Sequence, residues 1–539
     1  MPEELVIEVT NGAQVEGETR PYLGVYARVG SSPVVRIWMP AEDATDPGKC
    51  VPELINAGLQ FFDRPVIKQQ LAEALKNVRP SSAKVAVRSG WHGNCFVFDG
   101  QICKGKNNPG FFLHQDLRQQ YIPYPEARND ELIDFIDEAA TNSDFLAAAT
   151  MIAFAQPLLG LLPSPERPVI YFWGESRTGK TTLAALINAI TCPPSNRELR
   201  PFDSTPRAFE EVLQYCSDNV AVFDELNTLD DAGIERALSP FIYTAANGRG
   251  KARSKSANFP DLRWRTTAVV TGEKNLDALK TRRKGSGQDA RLMTIAIPLR
   301  EKGGIWPSSW TEERRANQTD ELSSRIGTYS GHSYLKWIRW IVEHQDEIRL
   351  RHANKISRYA ERLAGRDADS LARSTAIKFA QLAAAGEELI RACVVDWDNA
   401  LPFGAIGRLY EADKASKLAT SADCNVAQQS ALTILAHLAV GHIPVAMAEQ
   451  DLTNTKAFIS RWDGQQFVMI EKGAVSCFAG APEAEVMSAF KACGSNIASG
   501  STPYFQDRKL EKRFLRVPVT SLERIAFAPA SVGQRDGRG

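Results

Sequence analysis

The chain has no surplus of either charge: 64 Lys and Arg stand against 64 Asp and Glu in 539 residues. A net charge of zero excludes a global field that gathers nucleic acid, so any basic surface has to be local. The nine cysteines include no CxxC pair, and no secretory signal opens the sequence. Reduced thiols and a cytoplasmic location are the expectation. His92, Cys95, Cys103 and His114 have a spacing that fits no common zinc module. A membrane span is also lacking. The nearest approach, Phe145–Leu162, carries Gln156 and Pro157 and has no basic flanks. A buried helix followed by a short second helix is expected there, and no membrane contact. Internal repeats are absent. The first 125 residues hold no catalytic constellation. Trp91 and His92, in the stretch SGWHG, read as packing or turn residues.

What is present begins at Arg167–Ile190, RPVIYFWGESRTGKTTLAALINAI. Gly174, Gly179, Lys180 and Thr181 fit the G-x-x-x-x-G-K-[ST] phosphate-binding loop. Val169–Trp173 is an apolar run of strand length, and Thr181–Ile190 is rich in Ala and Leu. That is the strand–loop–helix order such a loop needs. Glycines let backbone amides turn inward around phosphates, and the following helix points its positive end at them. The expected ATP contacts are Gly174, Glu175, Ser176, Arg177, Thr178, Gly179, Lys180, Thr181 and Thr182.

A second stretch, Asn219–Glu225 (NVAVFDE), reads as a buried strand ending in two carboxylates. Beside a phosphate loop this is the Walker-B arrangement. Asp224, with Thr181, is expected to hold Mg²⁺, and Glu225 to orient and deprotonate the attacking water. Thr266–Thr271 is another buried-type strand ending in a polar residue. At that strand tip Thr271 is placed to contact the γ-phosphate or the attacking water. Arg291, just before the strand Leu292–Pro298, falls where additive-strand P-loop ATPases carry an arginine finger for a neighbouring subunit.

Between Thr244 and Arg291 there are twelve Lys or Arg and four Asp or Glu, a local balance of +8. Arg249, Lys251, Arg253, Lys255, Arg263 and Arg265 flank a turn at Asn258–Asp261, the pattern of a basic β-hairpin. Nucleic-acid phosphate contact is the functional reading.

Other elements follow from local signals. Strands are expected at Leu5–Val9, Tyr22–Val29, Val34–Met39, Lys84–Arg88 and Cys95–Phe98, with a helix over Arg64–Lys76. Thr205-Pro206 is a cap followed by proline, so a helix starts there and runs to about Tyr215. Tyr334–Ile348, Ala353–Leu363 and Ser370–Cys393 read as three helices, with Arg373 near the start of the last as a candidate second sensor. The strand–helix–hairpin order toward the C-terminus suggests a winged-helix-like module.

Taken together, GESRTGKTT, VAVFDEL, NGRGKAR, VVTGE and GQDAR occur in an order that resembles a family of P-loop proteins long known as a domain of unknown function. The better understood members look like self-loading replicative helicases of mobile elements, related to the minichromosome maintenance helicases. The likeness covers roughly Gly90–Trp397. It implies an AAA+ fold, a hexameric ring and ATP-driven movement along single-stranded DNA; replication proteins are a further candidate class of partner, which the N-terminal 90 residues do not support. By motif it carries over Lys180, Thr181, Asp224, Glu225 and Thr271, with Arg291 at the finger position and Arg373 at the second-sensor position. It also implies that the hairpin Lys251–Arg265 faces a pore. Thr271 stands where many of the wider class place Asn.

The expected architecture is α/β: a β-rich N-terminal domain over 1–125, an AAA+ P-loop ATPase core over 126–300 and a helical lid region over 301–415. A C-terminal α+β domain, winged-helix-like, follows over 416–527, with a disordered tail at 528–539. The expected function is an ATP- and Mg²⁺-dependent DNA helicase or translocase in mobile-element or phage replication. The alternative is an AAA+ switch or scaffold, such as a loader, defence or packaging ATPase that does not unwind. A primase–helicase fusion has little support, because the N-terminal region has no convincing paired acidic or zinc motif.

Overall fold

The computed structural model describes all residues except 1–3, 16–20, 62, 81–83, 87, 106–110, 115–129, 164, 193–197, 227–230, 251–261, 275, 277–286, 288, 366–367, 369, 421–425, 440–442, 444–455, 463–464, 493–497, 502–503, 506–507, 510–513 and 527–539. The chain divides into two compact units: Met1–Asn275 with Gly285–Ala412, and Leu276–Lys284 with Asp413–Gly539.

In the first unit the N-terminal strands are β1 (Leu5–Val15), β2 (Pro21–Val29), β3 (Val35–Pro40), β4 (Arg79–Pro80), β5 (Lys84–Ala86) and β9 (Phe111–Leu113). They form one sheet in the order β3-β2-β1-β5-β9, with β4 beside β1. Helices α1 (Ala41–Ala44), α2 (Pro47–Asn56) and α3 (Arg64–Lys76) cover one face. Apolar residues at alternate strand positions, Leu5, Ile7 and Val9 in β1, share that core with Leu54, Ile67 and Leu71 of the helices. The α3 start is set by Asp63, whose carboxylate accepts the Val66 amide, and by Pro65 in the first turn.

β6 (Gly90–His92), β7 (Cys95–Phe98) and β8 (Gln101–Lys104) form a separate antiparallel sheet. Trp91, Phe96 and Phe98 are buried in the core of the central helices, not in that of the N-terminal sheet. Trp91 is thus a packing residue: its indole donates to the Pro157 carbonyl at 2.8 Å, and its amide donates to Asp218 at 2.9 Å.

The central sheet consists of β10 (Val169–Trp173), β11 (Arg200–Pro201), β12 (Val220–Asp224), β13 (Thr267–Gly272) and β14 (Leu292–Ala296). Every pairing is parallel and the order is β11-β12-β13-β10-β14. β13 therefore lies between the two strands that carry the sequence motifs. Buried on both faces, these strands are almost wholly apolar. Around them pack α4 (Glu131–Ala140), α5 (Asp144–Leu159), α6 (Lys180–Thr191), α7 (Pro206–Tyr215), α8 (Asp231–Asn247), α9 (Glu312–Thr328), α10 (His332–Ala364), α11 (Ser370–Arg391) and α12 (Leu401–Thr420). α7 begins as its cap and proline predict: Thr205 accepts the Ala208 amide and Pro206 opens the helix.

Two expectations are corrected here. Phe145–Leu162 is not two helices; one helix, α5, runs through Pro157 to Leu159, and every residue from Leu146 to Leu159 is buried. A proline in the last turn removes only one intrahelical bond, and dense packing on all sides offsets it. Among the described residues no helix is long and apolar enough to cross a membrane. Likewise the expected pair Tyr334–Ile348 and Ala353–Leu363 is a single 33-residue helix, α10. The polar stretch between them contains no glycine or proline. Arg351 there grips buried Glu388 of α11 at 2.7 Å, and His352 is fully buried.

At the N-terminal edge of the central sheet a buried carboxylate ties several elements together. Asp218 takes hydrogen bonds from the Arg265 guanidinium and the Trp91 amide. Arg88 and Arg167 lie 3.8 and 3.7 Å from it. Gly90 and Gly160 sit so close that a Cβ on either would strike the Asp218 side chain, at 2.5 and 2.8 Å. SGWHG thus has a structural reason for its first glycine.

Burial also makes two histidines acid-sensitive. His92 is pushed down to about 3 by burial, with Arg88 adding to the effect. His352 is pushed down to about 4 by burial, against the pull of Glu388. Both stay neutral in the fold, whereas a free histidine protonates near 6.5. Stability from these residues is fully present above about pH 6.5 and falls as pH drops toward 4, by up to about 1.4 kcal/mol per pH unit for each. Half-buried Asp137, pushed up to about 6 chiefly by burial, works the other way between about 4 and 6. Urea unfolding at pH 7 and pH 5 is expected to show a smaller acid penalty in His92→Gln than in the wild type. An equal penalty in both would assign the acid sensitivity elsewhere.

The second unit has its own core. Strands 457–462, 465–471, 514–518 and 498–501 form an antiparallel sheet in that order. Helices 426–439, 475–479, 483–492 and 519–526 accompany it, and Val468, Ile470, Phe490 and Leu522 are among its buried residues. The expected tail at 528–539 lies outside the described residues.

Candidate nucleotide site

β10 ends at Trp173, and the chain turns through Gly174–Gly179 into α6. Gly174 has φ +154° and Gly179 φ +103°. A Cβ on Gly174 would meet the Ile297 carbonyl at 2.6 Å, and one on Gly179 the Ile305 side chain at 2.8 Å. Both positions demand glycine for conformation and for space. Arg177 also adopts a left-handed conformation, φ +60°.

The loop is braced from behind. The Ile305 amide donates to the Thr178 carbonyl at 3.1 Å, and Ser143 donates to the Ile305 carbonyl at 2.6 Å. Lys180, first residue of α6, folds back over the loop and donates to the Gly174 and Glu175 carbonyls at 2.8 and 2.6 Å. Burial lowers its affinity for a proton, while Glu273, Asp224 and Glu175 raise it. A cation held among carbonyls at a helix start, over a glycine turn, is an arrangement with the shape and charge that a phosphate chain requires.

The carboxylates arrive on the adjacent strands. β13 lies against β10, with Phe172 level with Thr271, and against β12, with Phe223 level with Val270. All three strands are parallel, so their C-terminal ends meet. Asp224, 8% exposed, accepts a short hydrogen bond from the Thr271 hydroxyl and lies 3.5 Å from the Thr181 hydroxyl. The Glu225 amide donates to Thr271 Oγ1 at 3.1 Å. Glu225 itself is exposed and has φ +60°. A non-glycine residue so placed costs roughly 1–3 kcal/mol, and such outliers cluster at working sites. The hard oxygens of Thr181 and Asp224 suit Mg²⁺, which prefers one or two carboxylates plus phosphate and water. Among the described residues no group of three or more His, Cys, Asp or Glu is gathered as a metal cluster.

Lys180, Thr181, Asp224, Glu225 and Thr271 are therefore brought together. The arginines are not brought to them. Arg291 precedes β14, whose Leu292 is level with Val169 at the start of β10. The phosphate loop follows the other end of β10, about 16 Å of strand away. Arg291 is anchored by the Gly287 carbonyl at 2.7 Å and by the Tyr243 ring at 5.1 Å. It lines a cleft of about 500 Å³ with Arg167, Arg265 and Ser374. Exposed Arg373 lines the neighbouring cleft with Pro165 and Gln381, and Pro165 belongs to both. No phosphate-loop residue lines either cleft.

Of the basic segment, Arg249 and Arg263 form an antiparallel bridge, with Gly250 and Trp264 amides bonded across it at 3.0 Å each. Both arginines are exposed. Arg265 has a different task, since its guanidinium is committed to Asp218 and the Trp91 carbonyl. Lys251, Arg253 and Lys255 lie outside the described residues. Sequence reasoning missed Ile297, Ile305, Glu273 and Asp218. Only the Gly303-Gly304 pair, both at positive φ, marked the turn that braces the loop.

Residues 36–259 match a family described as Domain of unknown function (DUF927). Among solved structures, the chain shares its fold with one titled "SCCmec type IV Cch - active helicase": TM-score 0.56, 14% identity, 96% of this chain and 94% of that one. A structure titled "The A form apo structure of NrS-1 C terminal region-CTR" aligns over 67% of this chain and 76% of that one, at 12% identity and TM-score 0.28. No curated protein sequence matches.

Proposed function

We propose that this protein is an ATP-dependent, ring-forming helicase or translocase acting on single-stranded DNA in mobile-element or phage replication. One observation carries the proposal. Lys180, Thr181, Asp224, Glu225 and Thr271 meet at one end of a parallel sheet whose inserted strand is β13, while Arg291 stands at the other end. An arginine remote from its own phosphate loop suits one donated to a neighbouring subunit.

In this reading residues 126–300 are an AAA+ core, 301–415 a helical lid and 416–527 a winged-helix-like domain. Gly174–Thr182 holds the triphosphate, with Lys180 neutralising its outer charge. Thr181 and Asp224 hold Mg²⁺, which supplies charge neutralisation to the transferring phosphoryl group. Glu225 takes the proton of the attacking water. Arg291 of the adjacent subunit offsets charge as it develops, and Arg373 shares that face. Arg249 and Arg263, cross-strand neighbours at an exposed bridge, are placed to meet a phosphate of the DNA backbone.

The measurement that tests this is ATPase rate with and without single-stranded DNA, alongside native mass with ATP. Severalfold stimulation and an ATP-stabilised ring are expected. ATP turnover that ignores DNA would favour the switch or scaffold reading. A double-stranded or RNA preference would change the track.

A further inference from the structure

We infer that Thr271 is a clamp on the two carboxylate residues and not a reader of the nucleotide. The inference rests on Gly174–Thr182 being the ATP site. A threonine hydroxyl has one proton to give and two lone pairs to share. Here the proton goes to Asp224 Oδ1, and one lone pair takes the Glu225 amide at 3.1 Å. The donor is spent: to donate to a γ-phosphate, Thr271 would have to release Asp224.

The same Asp224 oxygen lies 3.5 Å from the Thr181 hydroxyl. Thr181, Asp224, Thr271 and the Glu225 backbone therefore form one chain across three neighbouring elements. One end of it is a proposed Mg²⁺ ligand and the other carries the proposed base. Glu225 holds φ +60° at the point where β12 ends, and the bond from its amide to Thr271 fixes that turn. Thr271 comes from β13, the strand inserted between β10 and β12, which is why it can reach both acids. An asparagine there would have a second N–H free for phosphate; threonine has none. This makes Thr271 a positioning residue for the base and for the metal ligand.

The test uses Thr271→Val, which keeps the shape and loses the hydroxyl, and Thr271→Ser, which keeps the hydroxyl. In the nucleotide-free protein, hydrogen exchange at the Glu225 amide is expected to rise about tenfold or more in Thr271→Val and to return in Thr271→Ser. In turnover, Thr271→Val is expected to lower kcat about 10–100-fold and to raise the Mg²⁺ concentration for half-maximal rate, with KM for ATP little changed. Thr271→Ser restores both. Unchanged Glu225 exchange in Thr271→Val, with wild-type ATP hydrolysis intact, would remove the clamp and leave the ATP site standing. A raised KM for ATP at unaltered Mg²⁺ dependence would likewise overturn it, in favour of phosphate contact. Loss of Glu225 protection in a protein whose wild type binds no ATP would keep the clamp and remove the ATP-site reading.

Discussion

Glu225→Gln is expected to bind ATP with near wild-type affinity and to lose steady-state hydrolysis by about 10²–10⁴-fold. Glutamine keeps the size and polarity of the side chain and cannot accept a proton. The phosphate cradle is built elsewhere, from Gly174, Gly179 and Lys180, so binding has no reason to fall. The φ of +60° survives as well, because its anchor is the Glu225 amide to Thr271, a backbone contact. Nucleotide affinity from a fluorescent ATP analogue and turnover from phosphate release separate the two effects. Undiminished hydrolysis in Glu225→Gln would remove the assigned base. Loss of binding and turnover together would point to collapse of the turn.

Arg291→Ala is expected to lower hydrolysis by about 10³–10⁵-fold, the range of arginine fingers, without unfolding the protein. The guanidinium leaves a cation–π contact with Tyr243 and one bond to the Gly287 carbonyl, both near the surface. The stronger test is mixing. Lys180→Ala subunits cannot use their own nucleotide but still offer Arg291 to a neighbour. Arg291→Ala subunits have a complete cradle and no finger to give. In an equimolar mixture about a quarter of head-to-tail interfaces combine an intact cradle with an intact finger, so activity should return to roughly that share. Strand geometry makes this a sharp expectation: Arg291 is a strand length from its own loop, beyond the reach of its side chain. No recovery at any ratio would exclude action between subunits.

How much of this was legible beforehand differs between residues. The placement of Lys180, Thr181, Asp224 and Glu225 at or just past the ends of two strands was legible because its signal is local. A glycine-spaced loop after an apolar run, and two acids after another, show their pattern within ten residues. The cap and proline at Thr205-Pro206 are equally local, and the helix follows them. Where a signal was ambiguous locally, tertiary packing settled it. Pro157 reads as a break, yet α5 continues through it because the helix is buried on every side. Residues 349–352 read as an interruption of helix, yet α10 runs on. Arg351 there meets a carboxylate thirty-seven positions away.

Arg265 shows the limit most plainly. In sequence it is one of six basic residues around a turn, equivalent to Arg263. In the fold Arg263 is exposed, while Arg265 is spent on Asp218, forty-seven positions upstream. Nothing in composition or spacing separates the two: at i and i+2 an extended chain would put both on one face, and only the tertiary contact with Asp218 and the Trp91 carbonyl tells them apart.

By itself the sequence determined that a glycine-spaced loop follows one apolar run and two carboxylates another, and that a cluster of positive charge lies between residues 244 and 291. Those are matters of residue type and short spacing, which backbone geometry translates directly. Only the tertiary structure decided that β13 lies between the two motif strands and that Thr271 touches both acids. It also decided that Arg291 stands at the opposite end of the parallel strands from Lys180 and Asp224. The physical reason is that strand order and parallel register are set by long-range burial, and no local stretch of sequence carries them.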